Sequence, residues 1–338
     1  MKEILKKVTS GENLSRDECS QAMDLIMDGQ ATPSQIAGLV IALKMKGERP
    51  EEVAGFVESM RRHSLKVSIA DDRAVDGVGT GGDGAHSFNI STAAGIVAAG
   101  AGATVAKHGN RSVTSKCGSA DLLEAVGGKL ELKPAYVETC INKVGFGFMF
   151  APVFHPAMKH AAVPRREVGV RTVFNILGPL TNPAGVKRLL VGVYDKALMP
   201  LVAKVLALTG AERVMIVHSR DGLDEISVSA PTDYLELRDG KINEHVIRPQ
   251  DVGLVPSPVG ALDGGDANHN AGILRQLLDG QRDAYRDAVV LNAGAMLYIA
   301  DLAESIDQGV TRAEEAIDAG HARAKLEQWV AVSNDGSV

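Results

Sequence analysis

The sequence predicts an α/β protein: a small all-helical N-terminal domain, then a large α/β domain with a mainly parallel central sheet and helices around it. Three observations predict it. The first ~65 residues carry helix start and stop signals with apolar residues at helical spacing. From about residue 72, short β-branched runs alternate with helical stretches, the pattern of parallel βα units. A glycine-rich run directly follows the first of these strands. The 338 residues suffice for two domains, with bounds of 1–70 and 71–338.

Each element has a local cause. Ser15 with Glu18 three residues later forms a capping box, and Ala22, Leu25 and Ile26 share one face of a helix that stops at Gly29. Thr32, Pro33 and Gln35 start a second helix carrying Ile36, Leu39, Val40 and Leu43, ended by Gly47. Pro50 opens a third through Val53, Val57 and Met60. Three such short helices need a further surface to cover their apolar faces. Candidate strands lie at 74–78, 104–106, 146–150, 189–193, 214–217 and 234–237. Helical stretches fall at 120–126, 135–144, 198–208, 271–278, 284–302 and 311–329. Residues 151–183, with five prolines, read as an irregular segment.

Composition narrows the function. Hydrophobic residues at 45% exclude a disordered chain. With 4% aromatics and 36 glycines, the core is built from small and aliphatic side chains. The net charge of −6 lacks the basic footprint of a nucleic-acid binder. Cys19, Cys117 and Cys140 match no disulfide or zinc spacing, which points to a reducing, cytoplasmic setting. The N-terminus has no signal-peptide core, and the bland stretch 93–106 falls short of the ~20 apolar residues that span a bilayer.

Two loops carry the chemistry. Gly77, Gly79, Gly81, Gly82 and Gly84 fit the dinucleotide spacing in two registers. The acid expected about 20 residues later is missing, and no Gly-Lys-Ser/Thr follows, so neither a Rossmann nor a Walker site results. Crowded backbone N–H groups still make an anion nest, and Asn89-Ile90-Ser91-Thr92 then opens an apolar helix, whose N-terminus also suits phosphate. Lys107-His108-Gly109-Asn110-Arg111-Ser112-Val113-Thr114-Ser115-Lys116 follows the next strand with no acid among them, as polyphosphate recognition requires.

These blocks, with His155-Pro156-Ala157-Met158 and the run from Arg171 to Pro183, resemble the signature of the anthranilate phosphoribosyltransferase family over nearly the whole chain. Thr114 and Cys117 stand where serine is common. The resemblance implies transfer of the phosphoribosyl group of 5-phosphoribosyl 1-pyrophosphate to the amine of anthranilate, releasing pyrophosphate, in tryptophan biosynthesis. It implies that Gly79, Gly82, Asp83, Ser87, Asn89, Ile90, Ser91, Thr92, Lys107 through Ser115 and Ser119 hold phosphoribosyl pyrophosphate. Gly79, Asn110 and Arg165 would meet anthranilate, an Arg fork suiting its carboxylate. Ser91, Asp224 and Glu225 would bind Mg²⁺, two ions per site. On spacing alone, two adjacent acids are ordinary on a solvated loop. No catalytic side chain is assigned; His108 is the one candidate. The resemblance further implies that part of 160–190 joins the helical domain, and that a homodimer forms through the N-terminal helices, Leu39, Val40 and Leu43 included. The small-molecule substrates are the expected partners, with no nucleic acid and no membrane. A pyrimidine nucleoside phosphorylase-like enzyme and a non-catalytic nucleic-acid-binding paralogue are the alternatives.

Overall fold

The computed structural model describes residues 1–112 and 115–335. Its N-terminal part is four helices, α1 (Lys2–Thr9), α2 (Arg16–Met27), α3 (Pro33–Lys46) and α4 (Pro50–His63). The capping boxes at Ser15 and Thr32 both form. Helix α1 was not foreseen. It packs on α3, and Val8 is its one buried residue.

The rest follows in the order β1 (Val75–Gly79), α5 (Ile90–Gly100), β2 (Val105–Gly109), α6 (Ser119–Ala125), α7 (Pro134–Thr139), β3 (Phe146–Phe150), α8 (Ala151–Phe154), α9 (Lys159–Val168), α10 (Phe174–Leu177), β4 (Arg188–Gly192), α11 (Met199–Leu208), β5 (Arg213–Ser219), β6 (Thr232–Arg238), β7 (Lys241–Ile247), α12 (Ala267–Leu278), α13 (Ala284–Ile299), α14 (Ile306–Asp318) and α15 (His321–Asn334). The sheet order is β3-β2-β1-β4-β5-β6-β7. The first five strands are parallel, and β6 and β7 add antiparallel.

Several expectations change. The segment 151–183 folds into three short helices rather than an irregular run, with Pro164 tolerated inside α9. The long C-terminal stretch divides at Gly320, whose φ of 74° ends one helix and starts the next. Strand β2 runs on to Gly109, so Lys107 and His108 are strand residues and face opposite sides of the sheet. Strand β7 lacks an apolar signature because it is an exposed edge. Its cue is the Asp239-Gly240 turn, both residues at positive φ, as a tight hairpin requires.

The core lies on both faces of the sheet. Helix α5, almost wholly Ala, Gly, Ile and Val, is buried between the sheet and α13, α14 and α15. Helices α13 and α14 meet at backbone distance: a Cβ on Gly309 would stand 2.3 Å from the Gly294 carbonyl oxygen. The helical part is fastened to the sheet part through Arg61 on α4, which donates to the carbonyls of Leu180 and Thr209, each at 3.0 Å. Helix α9 returns to pack on α2 and α3. Leu39, Val40 and Leu43 are buried within this single chain. That corrects their expected place on a dimer face: the further surface the short helices needed is supplied by their own chain.

Candidate active site

The chain leaves β1 for β2 on one side and later returns to β4 on the other, so a crevice opens beyond the carboxyl ends of β1 and β4. The two strands end in paired glycines, Gly79 opposite Gly192. A Cβ on Gly79 would stand 2.4 Å from Asp224 Oδ2, and one on Gly192 only 1.6 Å from the Asp224 carbonyl oxygen. Only hydrogen fits at either place, and the acidic loop 222–227 therefore rests directly on the strand ends. Gly192 was missed because nothing near it in sequence marks a ligand site.

From that seat Asp224 Oδ2 accepts the Gly81 N–H at 2.7 Å. Glu225 Oε1 accepts the Ser91 N–H at 3.1 Å, at the N-terminus of α5. The helix terminus expected to receive phosphate thus carries a carboxylate here, which the positive end of its dipole favours. Asn292 on α13, also missed, clamps the next residue. It donates to the Ile226 carbonyl at 2.9 Å and accepts the Ile226 N–H at 3.0 Å. Loss of water pushes Asp224 up to about 7, with the charge of Asp83 adding to it. Glu225 rises to about 8, through loss of water and then the charge of Asp224. Among the described residues, no three His, Cys, Asp or Glu side chains close into a metal cage. Two mutually repelling carboxylates beside a phosphate nest nonetheless suit Mg²⁺, which takes one or two carboxylates and completes its shell with phosphate and water.

The basic loop divides in two. Lys107 is buried: its Nζ donates to the Gly77 carbonyl at 2.5 Å and lies 3.4 Å from Ser91 Oγ. Burial lowers its pKa, while Asp76 and Glu225 oppose that. Arg111 turns outward instead, paired with Asp121 at 2.9 Å and Glu124 at 2.8 Å and lying over the Phe150 ring. Asp121, just past the loop, is the acid that a reading of the loop alone overlooks. Asn110 is exposed and its Oδ1 accepts the Arg111 N–H at 2.8 Å. Ser112 Oγ donates to the Ser115 carbonyl at 2.6 Å, and Ser119 Oγ to the Asn110 carbonyl at 3.1 Å. Val113 and Thr114 lie outside the described residues.

On the glycine side, Asp83 Oδ1 accepts the Ala85 N–H at 3.1 Å. Ser87 pairs with Asp263, the Phe88 N–H donates to the Leu262 carbonyl at 2.9 Å and the Gly264 N–H to the His86 carbonyl at 2.9 Å, so residues 86–88 are held by the loop at 262–264. Ile90 and Thr92 are buried in the start of α5. From the helical side Arg171 reaches over: its guanidinium stacks 4.0 Å from the Tyr194 ring and donates to the Gly82 carbonyl. Arg165 on α9 lies 5.2 Å from the Phe174 ring centre, on the same side.

His108 and His155 are buried with ring centres 5.1 Å apart. Burial, then the charge of His155, pushes His108 down to about 3. Burial pushes His155 to about 4, and its Nε2 meets the Thr181 carbonyl at 3.0 Å. A base that weak does not draw a proton near neutral pH.

Residues 2–64 match the helical bundle domain of the glycosyl transferase family, and residues 71–323 match its a/b domain. Proteins named anthranilate phosphoribosyltransferase are similar over their full length. That of Moorella thermoacetica is 50% identical across 98% of both chains. That of Xanthobacter autotrophicus is 50% identical across 98% of this chain and 96% of its own. Among solved structures, the Thermus thermophilus anthranilate phosphoribosyltransferase superposes with a TM-score of 0.94 at 42% identity, covering 98% of this chain and 99% of that one. The Saccharomyces cerevisiae enzyme in complex with PRPP and Mg gives 0.90 at 29% identity, covering 98% and 97%.

The histidine pair generates a stability prediction. Both folded-state values lie below the ordinary 6.5. Their contribution is therefore complete above that value and is lost as pH falls through about 4 and about 3. The melting temperature should drop on acidification below the ordinary histidine range, and the double variant His108→Gln/His155→Gln should flatten that drop. Parallel curves for wild type and variant between neutral and mildly acid pH would refute the assignment.

Proposed function

The chain belongs to this glycosyl transferase family, matching its helical bundle and its a/b domain in order, and from that premise we propose that it transfers the phosphoribosyl group of 5-phosphoribosyl 1-pyrophosphate to the amine of anthranilate. The products are N-(5-phosphoribosyl)anthranilate and pyrophosphate, a step of tryptophan biosynthesis. The observation that carries this reading is the acidic loop seated on Gly79 and Gly192, its two carboxylates bonded to the glycine loop and to the start of α5. Full-length similarity to enzymes of this name sets aside the nucleoside phosphorylase and the non-catalytic readings.

In the reaction the bond from ribose C1 to pyrophosphate breaks, the bond from C1 to the anthranilate nitrogen forms on the opposite face, and the nitrogen loses a proton. The state between has oxocarbenium character, as in other glycosyl transfers. Bound Mg²⁺ would offset the charge that gathers on the departing pyrophosphate. Glycine-loop N–H groups and the buried cation of Lys107 act on the same charge from beneath. Arg165 meets the anthranilate carboxylate, and Asn110 and Gly79 border the same pocket. With His108 so weak a base, the proton goes to water or to a pyrophosphate oxygen. Much of the acceleration then comes from holding two substrates in line.

Two Mg²⁺ ions per site accord with two carboxylates held at different points, Asp224 by the glycine loop and Glu225 by α5. A cytoplasmic setting accords with the three free, buried cysteines and with the absence, among the described residues, of a helix long and apolar enough to cross a membrane. A homodimer through the helical bundle accords with Met45 of α3, an apolar side chain left 84% exposed.

Loss of anthranilate fluorescence on mixing protein, both substrates and Mg²⁺ is the expected result; no turnover by folded protein would sink the reading. Arg165→Ala should raise the anthranilate KM by about tenfold more than the other KM, ~1.4 kcal/mol of binding. Equal rises would break that role. Asp224→Asn with Glu225→Gln should flatten the Mg²⁺ dependence of the rate, and an unchanged profile would refute the metal role. Sedimentation of a monomer at micromolar concentration would contradict the dimer.

A further inference from the structure

Asn270 lies on the first turn of α12, 1% exposed, and bonds two segments directly and a third through Asn89. Its Oδ1 accepts the Gly265 N–H at 2.7 Å. Its Nδ2 donates to Asn89 Oδ1 at 2.9 Å. Asn89 Nδ2 in turn donates to the Cys117 carbonyl at 3.0 Å. Three segments far apart in sequence are joined by two side-chain amides: the end of the glycine arm, the end of the basic loop and the loop before α12.

The direction of this chain is settled by its ends. A backbone N–H can only donate and a backbone carbonyl can only accept. With Gly265 N–H at one end, Asn270 must face it with oxygen, and so offers its NH₂ to Asn89. With the Cys117 carbonyl at the other end, Asn89 must face it with NH₂, and so offers its oxygen to Asn270. Neither amide can flip without opposing like groups. Asn89 stands at the N-cap of α5, yet its side chain makes no cap bond there. Its oxygen is spent on Asn270, so the group it keeps for an anion is an N–H and not a carbonyl.

We propose that Asn270 is a positioning residue for phosphoribosyl pyrophosphate: it fixes the amide sense of Asn89 and holds the two anion-binding loops in one register, without touching the substrate. This rests on the substrate reading above. It predicts a selective effect, because none of the three bonds involves Arg165 or its wall of the cleft.

The decisive variant is Asn270→Asp. It keeps the oxygen that accepts Gly265 N–H but sets a second oxygen against Asn89 Oδ1. The KM for phosphoribosyl pyrophosphate, and its Kd by calorimetry, should rise about tenfold or more, ~1.4 kcal/mol at tenfold. The anthranilate KM should stay within about twofold of wild type, a few tenths of a kcal/mol. An unchanged Kd for phosphoribosyl pyrophosphate overturns the proposal, and so does an equal rise in both KM values with a lowered melting temperature, the mark of a merely structural role. If Asn270→Asp does not fold, Asn270→Ala is measured instead. It removes both bonds of Asn270 and frees the Asn89 amide to turn, so a raised Kd for phosphoribosyl pyrophosphate with an unchanged anthranilate KM supports the proposal and an unchanged Kd overturns it. Wild-type protein that binds phosphoribosyl pyrophosphate but leaves anthranilate unconverted would fault the substrate reading alone, since calorimetry still reads Asn270.

Discussion

The seat of Asp224 on Gly79 and Gly192 is the constraint from which the rest of the site follows. Two parallel strands must end in residues without side chains for the acidic loop to reach the sheet. Once it is there, the Gly81 N–H and the Ser91 N–H each find a carboxylate. The glycine loop and the start of α5 are thereby tied to one short segment, and Asn292 secures it from behind through Ile226. Moving that seat by the width of a methyl group would disturb all four.

The price of this arrangement is a buried pair of acids. Loss of water raises both Asp224 and Glu225, the charge of Asp83 adding to the first and that of Asp224 to the second. Lys107 is the counterweight, with Asp76 and Glu225 on either side of it. Asp76 is itself buried and raised to about 6, and it accepts the Asn182 side-chain N–H at 2.8 Å. An acidic protein and an anionic substrate are compatible because the matching is local, over a few ångströms, and not a matter of net charge.

The two parts of the chain meet around this site. Arg61 anchors α4 to the α/β part, while Arg171 carries the segment after α9 across to Gly82 and Tyr194. Arg165 sits on the same wall.

Much of this was determined by sequence alone. Local rules suffice for the capped helices at Ser15 and Thr32, for the alternation that makes a parallel sheet, and for a glycine nest leading into α5, because each depends on neighbours within a few residues. The exposed edge strand β7 and the helices of 151–183 escaped because their apolar pattern is weak and their stability comes from distant partners. In the site, the glycine loop, the start of α5 and Lys107 sit in legible motifs, whereas Gly192, Asn270 and Asn292 carry no local mark. Only the tertiary structure decided that Lys107 lies buried and Arg111 turns to Asp121, that burial pushes His108 down, and that Leu39, Val40 and Leu43 serve the chain's own core. The physical reason is one of range. Backbone conformation is set by adjacent residues, but burial, amide direction and the pairing of charges are set by whatever the fold brings to within hydrogen-bond distance.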